Sequence, residues 1–94
     1  MDVTDDKTVV KVDKKDISKY ISACLFSLSK ESEVNIISRG SNIKKAIDVF
    51  AILMREYLED AKYEIKVGTE PYETRNVSTL EIHLTGKQKE KRIK

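Results

Sequence analysis

Residues 33–58 read EVNIISRGSNIKKAIDVFAILMREYL, and the change of pattern at Gly40 decides the fold. The residues directly before Gly40, at positions 33–39, return to β-branched side chains, which predicts a strand. After Ser41 or Asn42, either of which can cap a helix, apolar residues recur every three or four positions. This second pattern predicts a helix that continues to about Leu58.

A similar strand and helix precede this stretch. Thr8–Val12 alternates as a strand does, and Asp16 is the expected N-cap of a helix that runs to about Lys30. After the second helix, residues 62–68 and 77–85 alternate again, which predicts two more strands. The chain is therefore predicted to contain four strands and two helices.

The order of these segments predicts the architecture. Strand–helix–strand units pair their strands in parallel through right-handed crossovers, and a terminal hairpin adds antiparallel strands to the same sheet. We predict an α/β protein of the two-layer α+β type, with the order β-α-β-α-β-β, a four-stranded mixed sheet and two helices on one face. A polar arm over Gly68–Asn76 is expected to connect the hairpin strands.

The second helix has a wider apolar stripe than the first. Its apolar positions are Ile43, Ala46, Ile47, Val49, Phe50, Leu53, Met54, Tyr57 and Leu58. In so small a domain, a wide stripe indicates that one side of the helix packs on the sheet and the other side packs on something else. A second copy of the chain is one candidate for that further surface.

The composition describes one folded, highly charged domain. The 94 residues (10.8 kDa) are 36% charged and 39% hydrophobic, and the formal net charge is +2. We divide the chain into a flexible acidic N-terminus (1–7), a folded domain (8–85) and a basic C-terminal tail (86–94). The tail either strengthens non-specific phosphate binding or only keeps the protein in solution. Because the rest of the chain is slightly acidic, attraction to phosphate depends on where the basic residues lie.

The sequence has no signal for export or membrane insertion. No segment approaches the roughly 18 apolar residues of a membrane-spanning helix, and the acidic start is unlike a signal peptide. The single cysteine cannot form an internal disulfide. We therefore expect a cytoplasmic protein without a membrane partner.

The residues that usually perform enzyme chemistry do not converge. His83 is expected on the outward face of the last strand, and Cys24 lies within the apolar stripe of the first helix. Glu56, Glu59 and Asp60 crowd the end of the second helix, where a solvated cluster is more typical than metal ligation. We predict a protein that is not an enzyme and that has no cofactor and no metal site.

Two basic clusters are better candidates for function. Lys14 and Lys15 lie in the predicted turn between the first strand and the first helix, where the alternative is an ordinary solvated lysine pair. Arg39 ends the second strand, and Lys44 and Lys45 lie in the first turn of the second helix. A lysine at the positive end of a helix costs about 0.3–1 kcal/mol, so this placement indicates a surface that meets an anion.

Three segments share one resemblance: SRGSNIKKAID (38–48), the VNII before it, and VSTLEI (77–82). Together with the Lys14-Lys15 pair ahead of the first helix, they resemble the Alba family of archaeal chromatin proteins over about residues 8–85. The resemblance implies a small dimeric nucleic-acid-binding protein whose fold is similar to the C-terminal domain of translation initiation factor 3. Relatives of that family include RNA-binding subunits of ribonuclease P.

The resemblance also implies roles for individual residues. Lys14 and Lys15 would contact the nucleic-acid backbone at the centre of the binding surface, and either would be a candidate for acetylation. Basic residues on the same face would be Arg39, Lys44 and Lys45, and Arg75 would be the contact on the arm. Tyr57 would lie where dimers meet side by side on DNA.

Several positions depart from the family pattern. Asp13 and Asp16 bracket the central lysine pair, Ser41 stands where a second arginine is common, and the arm carries Glu70 and Glu73. Each departure removes or offsets attraction to phosphate. We therefore expect weaker or more selective binding than that of a strongly basic relative.

The leading hypothesis is a homodimer that binds duplex DNA through phosphate contacts and hairpin arms, as a nucleoid-associated protein of archaeal chromatin that compacts DNA. Two alternatives remain open at this point. RNA could be the principal partner, as for a ribonuclease P subunit, or the second helix could bind a different protein chain.

Overall fold

The computed structural model describes residues 8–89, so the predictions for the acidic N-terminus and for the last five residues of the basic tail lie outside the described residues. The secondary structure elements follow the predicted order. They are β1 (Val9–Lys11), α1 (Ile17–Glu31), β2 (Glu33–Arg39), α2 (Ile43–Ile52), β3 (Leu58–Tyr72) and β4 (Arg75–Gln88), with a 3-10 turn at Gly40–Asn42 and a π-helical turn at Leu53–Tyr57.

The strands form one mixed sheet in the order β1-β2-β4-β3. β1 pairs with β2 in parallel, while β4 pairs antiparallel with both β2 and β3. The predicted fold is confirmed in strand pairing as well as in element order. Because the last β2 pair is Arg39 with Thr79, the hairpin formed by residues 69–78 extends past the end of β2. We call residues 69–78 the hairpin arm.

The core lies between the two helices and the inner face of β1, β2 and β4. Its buried apolar residues are Val10, Val12, Tyr20, Cys24, Leu28, Val34, Ile36, Ala46, Val49, Leu53, Leu58, Leu80, Ile82 and Leu84. Alternation along the strands and the three-or-four spacing along the helices place these side chains inward, as the sequence predicts. Within residues 8–89, neither helix is long and apolar enough to cross a membrane.

The hairpin differs from its prediction in length. β3 begins at Leu58 rather than at residue 62, and an irregularity between Glu59 and Lys62 offsets its pairing with β4. Gly86 makes this possible, because a Cβ there would lie 3.1 Å from the Cβ of Ala61. The segment predicted as a connecting arm is itself paired strand, closed by a two-residue turn at Glu73–Thr74.

Asp16 and Asn42 occupy the predicted N-cap positions before α1 and α2, but neither side chain makes a capping hydrogen bond. Asn42 instead directs its amide Nδ2 toward Asp13 Oδ1 at 3.4 Å, which connects the start of α2 to the loop before α1. The Asn42 side chain therefore contacts a distant loop and does not cap its own helix.

Candidate nucleic-acid interface

Lys14 and Lys15 lie in the loop that joins β1 to α1, which we call the basic loop (residues 13–16). Both residues are exposed, and neither ammonium group has a hydrogen-bond or ion-pair partner within residues 8–89. The flanking carboxylates of Asp13 and Asp16 form no ion pair with them. The basic loop thus presents two cations that no intramolecular contact satisfies.

The backbone of the basic loop is held by side chains from both helices. The Tyr20 hydroxyl on α1 accepts hydrogen bonds from the backbone N–H groups of Asp13 (2.7 Å) and Lys15 (2.9 Å). From α2, the Lys45 ammonium donates to the backbone carbonyls of Asp13 (3.1 Å) and Lys15 (2.8 Å). Two side chains therefore satisfy all four backbone groups of these two residues.

The segment that joins β2 to the first turn of α2, which we call the β2–α2 junction (residues 39–45), carries three cations with internal partners. Arg39 forms an ion pair with Glu70 of the hairpin arm. Lys44 pairs with Asp48 one turn later on α2 at 3.1 Å, and Lys45 holds the basic loop. Lys45 contacts the basic loop and Arg39 lines a groove together with Asp13, whereas Lys44 contacts only Asp48, and none of the three is unpaired.

Arg75 lies beside the turn of the hairpin arm, where it pairs with Tyr72. It is exposed, and its guanidinium has no partner within the described residues 8–89. Thr79, the β4 partner of Arg39 at the end of β2, is four positions from Arg75, so the arm carries Arg75 past the end of the sheet at which the basic loop lies. Arg75 would therefore contact a partner at a different point from the basic loop.

An open groove of about 690 Å³ lies beside the basic loop, on the sheet between β1 and β3. Its charged lining residues are Lys11, Arg39 and Lys66 together with Asp13, Glu70 and Glu81. The two signs balance, so the groove has little net attraction for a polyanion. Lys11 and Lys66 of the groove also have no ion-pair partner within residues 8–89, but they share the groove with acidic residues, whereas the basic loop places two unpaired lysines next to each other in the chain.

A second exposed feature is apolar. Tyr63, Ile65 and Val67 of β3 pair with Leu84, Ile82 and Leu80 and so share the face on which the helices pack, yet they are 54%, 46% and 76% exposed. Ile47 on α2 is 47% exposed, and Phe50 packs edge-on against Tyr63 with ring centroids 5.0 Å apart. We call Ile47, Tyr63, Ile65 and Val67 the apolar face.

The other singled-out residues lie apart from these surfaces. Tyr57 is 39% exposed at the end of the π-helical turn, and its carbonyl accepts a hydrogen bond from the Lys89 N–H. The His83 ring lies on the open face of the sheet, with Nε2 2.8 Å from Glu33 Oε1. Cys24 is fully buried, and desolvation raises the pKa of its thiol to about 12. The Cys24 thiol therefore stays protonated at neutral pH and is a poor nucleophile.

Sequence reasoning missed the residues that act on the basic ones. In the sequence, Tyr20 is one of the apolar-stripe residues of α1, and no local pattern pairs Glu70 with Arg39 or connects Lys45 to the basic loop. Only the Lys44–Asp48 pair carries a local signal, since residues four apart on a helix are neighbours. The Arg39–Glu70 contact joins positions 31 residues apart, which no short-range pattern indicates.

Comparison with known proteins gives consistent matches. Residues 8–70 match the family model described as Alba. The DNA/RNA-binding protein Alba of Nitrosopumilus maritimus (strain SCM1) is 38% identical over 93 residues, covering 90% of this chain and 97% of that protein. The DNA/RNA-binding protein Alba of Picrophilus torridus is 37% identical over 87 residues, covering 85% of this chain and 97% of that protein.

A solved structure of Alba from Thermoplasma volcanium superposes on this fold. Its TM-score is 0.68 at 30% sequence identity, and the match covers 82% of this chain and 98% of that one. The sequence and the fold therefore lead to the same family.

Proposed function

This chain belongs to the Alba family, and from that membership we propose that it is a non-enzymatic protein that binds DNA or RNA as a homodimer. The observation that carries the proposal is the basic loop, where Lys14 and Lys15 are exposed, unpaired and held on a fixed backbone. Phosphate oxygens are the natural partners of such ammonium groups. The names of the relatives, DNA/RNA-binding protein Alba, support this chemistry.

Binding would depend mainly on the phosphate backbone. The basic loop has no aromatic side chain on which a base could stack, and its two cations act as point charges. The start of α1 directly after the loop contributes the positive end of a helix dipole, and its first turn contains no acidic residue. We therefore expect little base preference and a strong dependence on salt.

The apolar face supports the homodimer. A contiguous group of large apolar side chains at one edge of a small domain is typical of an interaction surface. A dimer formed through the apolar face would bring two basic loops and two hairpin arms onto one assembly, so that each contact occurs twice. The arms would then extend to grooves on either side of the central loops.

Light scattering on the purified chain tests this assembly. We expect twice the monomer mass of 10.8 kDa, and we expect the variant Ile65→Asp/Val67→Asp to fall to the monomer mass. Phe26→Asp is the matched control, because Phe26 is 54% exposed but lies on α1 outside the apolar face. A wild-type monomer would contradict the homodimer and would favour a different protein chain as the occupant of the apolar face.

Titration across a salt series tests nucleic-acid binding itself. Lys14, Lys15 and Arg75 supply three unpaired cations per protomer and six per dimer. The plot of log K against log salt should therefore have a slope of about −5 on duplex DNA. A slope near zero would contradict phosphate binding. The same titration with an RNA duplex of matched sequence decides between a DNA-binding chromatin role and a principally RNA-binding role.

The wider role follows from the same contacts. A dimer that covers duplex DNA through phosphates would be a nucleoid-associated, cytoplasmic protein that compacts the chromosome. Side-by-side contact between dimers through Tyr57, which is 39% exposed, is part of this proposal. Acetylation of Lys14 or Lys15 would remove one unpaired cation per protomer and reduce the salt dependence.

A further inference from the structure

The basic loop has no regular secondary structure and contains no glycine or proline, so its shape must come from contacts with the rest of the protein. Two side chains, one from each helix, provide those contacts. The backbone N–H groups of Asp13 and Lys15 both donate hydrogen bonds to the Tyr20 hydroxyl. The backbone carbonyls of the same two residues both accept hydrogen bonds from the Lys45 ammonium. The first side chain comes from α1 and the second from α2.

We infer that Lys45 and Tyr20 are positioning residues, which fix the backbone of the basic loop so that Lys14 and Lys15 meet phosphate in a prepared geometry. Lys45 therefore acts through the loop and does not itself contact phosphate. This inference rests on the proposed function, because it assumes that Lys14 and Lys15 are the groups that bind.

The hydrogen-bond count supports this assignment. An ammonium has three donors, and two of those of Lys45 are already directed at carbonyl oxygens 2.8 and 3.1 Å away. One donor remains, so to bind phosphate through more than a single hydrogen bond Lys45 would have to release a carbonyl and loosen the residues on either side of Lys14. The Tyr20 hydroxyl, whose residue is only 6% exposed, is out of reach of a partner and can act only on the loop.

The geometry also explains why holding the loop would matter. Two long lysine side chains lose conformational freedom when they bind, and a mobile backbone would add to that loss. A fixed backbone leaves only the side chains to be ordered. Removal of either positioning residue should therefore weaken binding although Lys14 and Lys15 are still present.

The neighbouring residue Lys44 provides a matched control for charge. Lys44→Met and Lys45→Met each remove one ammonium from the first turn of α2, but only Lys45 contacts the basic loop. Tyr20→Phe provides the complementary variant, since it removes only the hydroxyl and changes no charge. A thermal melt of each variant establishes that it is folded.

The first measurement needs no nucleic acid. We expect hydrogen exchange at the Asp13 and Lys15 amides to be at least about tenfold faster in Tyr20→Phe and Lys45→Met than in the wild type, and unchanged in Lys44→Met. Unchanged exchange in both Tyr20→Phe and Lys45→Met would overturn the inference.

The second measurement is a mutant cycle with a duplex DNA probe. In the wild-type background, Lys45→Met should weaken binding about tenfold. In the Lys14→Gln/Lys15→Gln background, Lys45→Met should weaken binding by less than about twofold more than Lys44→Met does, because the effects of residues that act through one another are not additive. An equal loss in both backgrounds would overturn the inference and make Lys45 a direct phosphate contact.

The two measurements separate this inference from the proposed function. If Lys14→Gln/Lys15→Gln binds DNA as tightly as the wild type, the proposed contact is wrong, whereas the exchange result still reports whether Tyr20 and Lys45 hold the loop.

Discussion

In the basic loop, the ammonium groups of Lys14 and Lys15 have no partner within residues 8–89, whereas in the β2–α2 junction Arg39, Lys44 and Lys45 all have one. The two regions are adjacent, because Lys45 bonds directly to the loop. Their difference shows that the number of basic residues on a surface does not measure its attraction for phosphate. A cation that already has a carboxylate partner must exchange that partner for phosphate, and the gain is correspondingly small.

The two regions also differ in how their backbones are fixed. No residue of the basic loop has a positive φ angle, and side chains from two helices hold it. The β2–α2 junction depends instead on Gly40, whose φ of +60° lies in the left-handed region. Changes to side chains should therefore affect the loop, and changes to the backbone should affect the junction.

Removal of the unpaired cations should have the largest effect. Lys14→Gln/Lys15→Gln deletes four cations from a dimer, and we expect the salt slope to flatten by about two to four units and the affinity to fall by about 10²- to 10³-fold. Titration of duplex DNA across a salt series measures both quantities. Lys44→Gln should reduce affinity and salt slope much less. Equal losses in the two variants would contradict the distinction between unpaired cations in the basic loop and paired cations in the β2–α2 junction.

Substitution of Gly40 should have the next largest effect. Gly40→Ala places a Cβ 3.5 Å from Val77 Cγ1, which is an ordinary contact, so the cost is that of the left-handed backbone. We expect the free energy of unfolding to fall by about 1–2 kcal/mol, measured by urea denaturation. Ser41→Ala, at the exposed next residue, is the control and should change stability little. A fully stable Gly40→Ala would show that the junction tolerates another backbone conformation.

Release of Arg39 should have a smaller effect of the opposite sign. Glu70→Gln removes the carboxylate that pairs with Arg39 and leaves a further free cation on each protomer. We expect DNA binding to tighten by about threefold to tenfold and the salt slope to steepen by about one to two units. Glu73→Gln removes the same charge from the hairpin turn, where no ion pair is present within the described residues. An equal gain in both variants would mean that only the net charge matters.

Release of Lys44 should have the smallest effect. Its ion pair with Asp48 is an exposed pair four residues apart on one helix, and such pairs contribute about 0.3–0.5 kcal/mol. Asp48→Asn should lower the free energy of unfolding by no more than that, and we expect DNA affinity to rise less than about threefold. Glu31→Gln on α1 is a control for charge alone. A gain as large as that of Glu70→Gln would show that Lys44 is a principal contact.

Local patterns were sufficient to predict most of the fold. Alternation identified Leu80, Ile82 and Leu84 as the buried face of β4, because side chains of a strand point alternately to its two faces. The limits of the hairpin were less predictable. Exposed Tyr63, Ile65 and Val67 give the same alternating pattern as core residues, and the pattern alone does not distinguish a buried face from an uncovered one.

The sequence by itself determined the order of strands and helices, the core residues and the presence of two basic clusters, since these depend on residues close together in the chain. Tertiary structure alone decided which cations are available. Arg39 meets Glu70 across 31 positions and Lys45 meets the carbonyl of Asp13 across 32, and both contacts exist only because the sheet and the helices bring distant segments together. The sequence determines which residues are charged, but the packing of the fold determines which group each charge contacts.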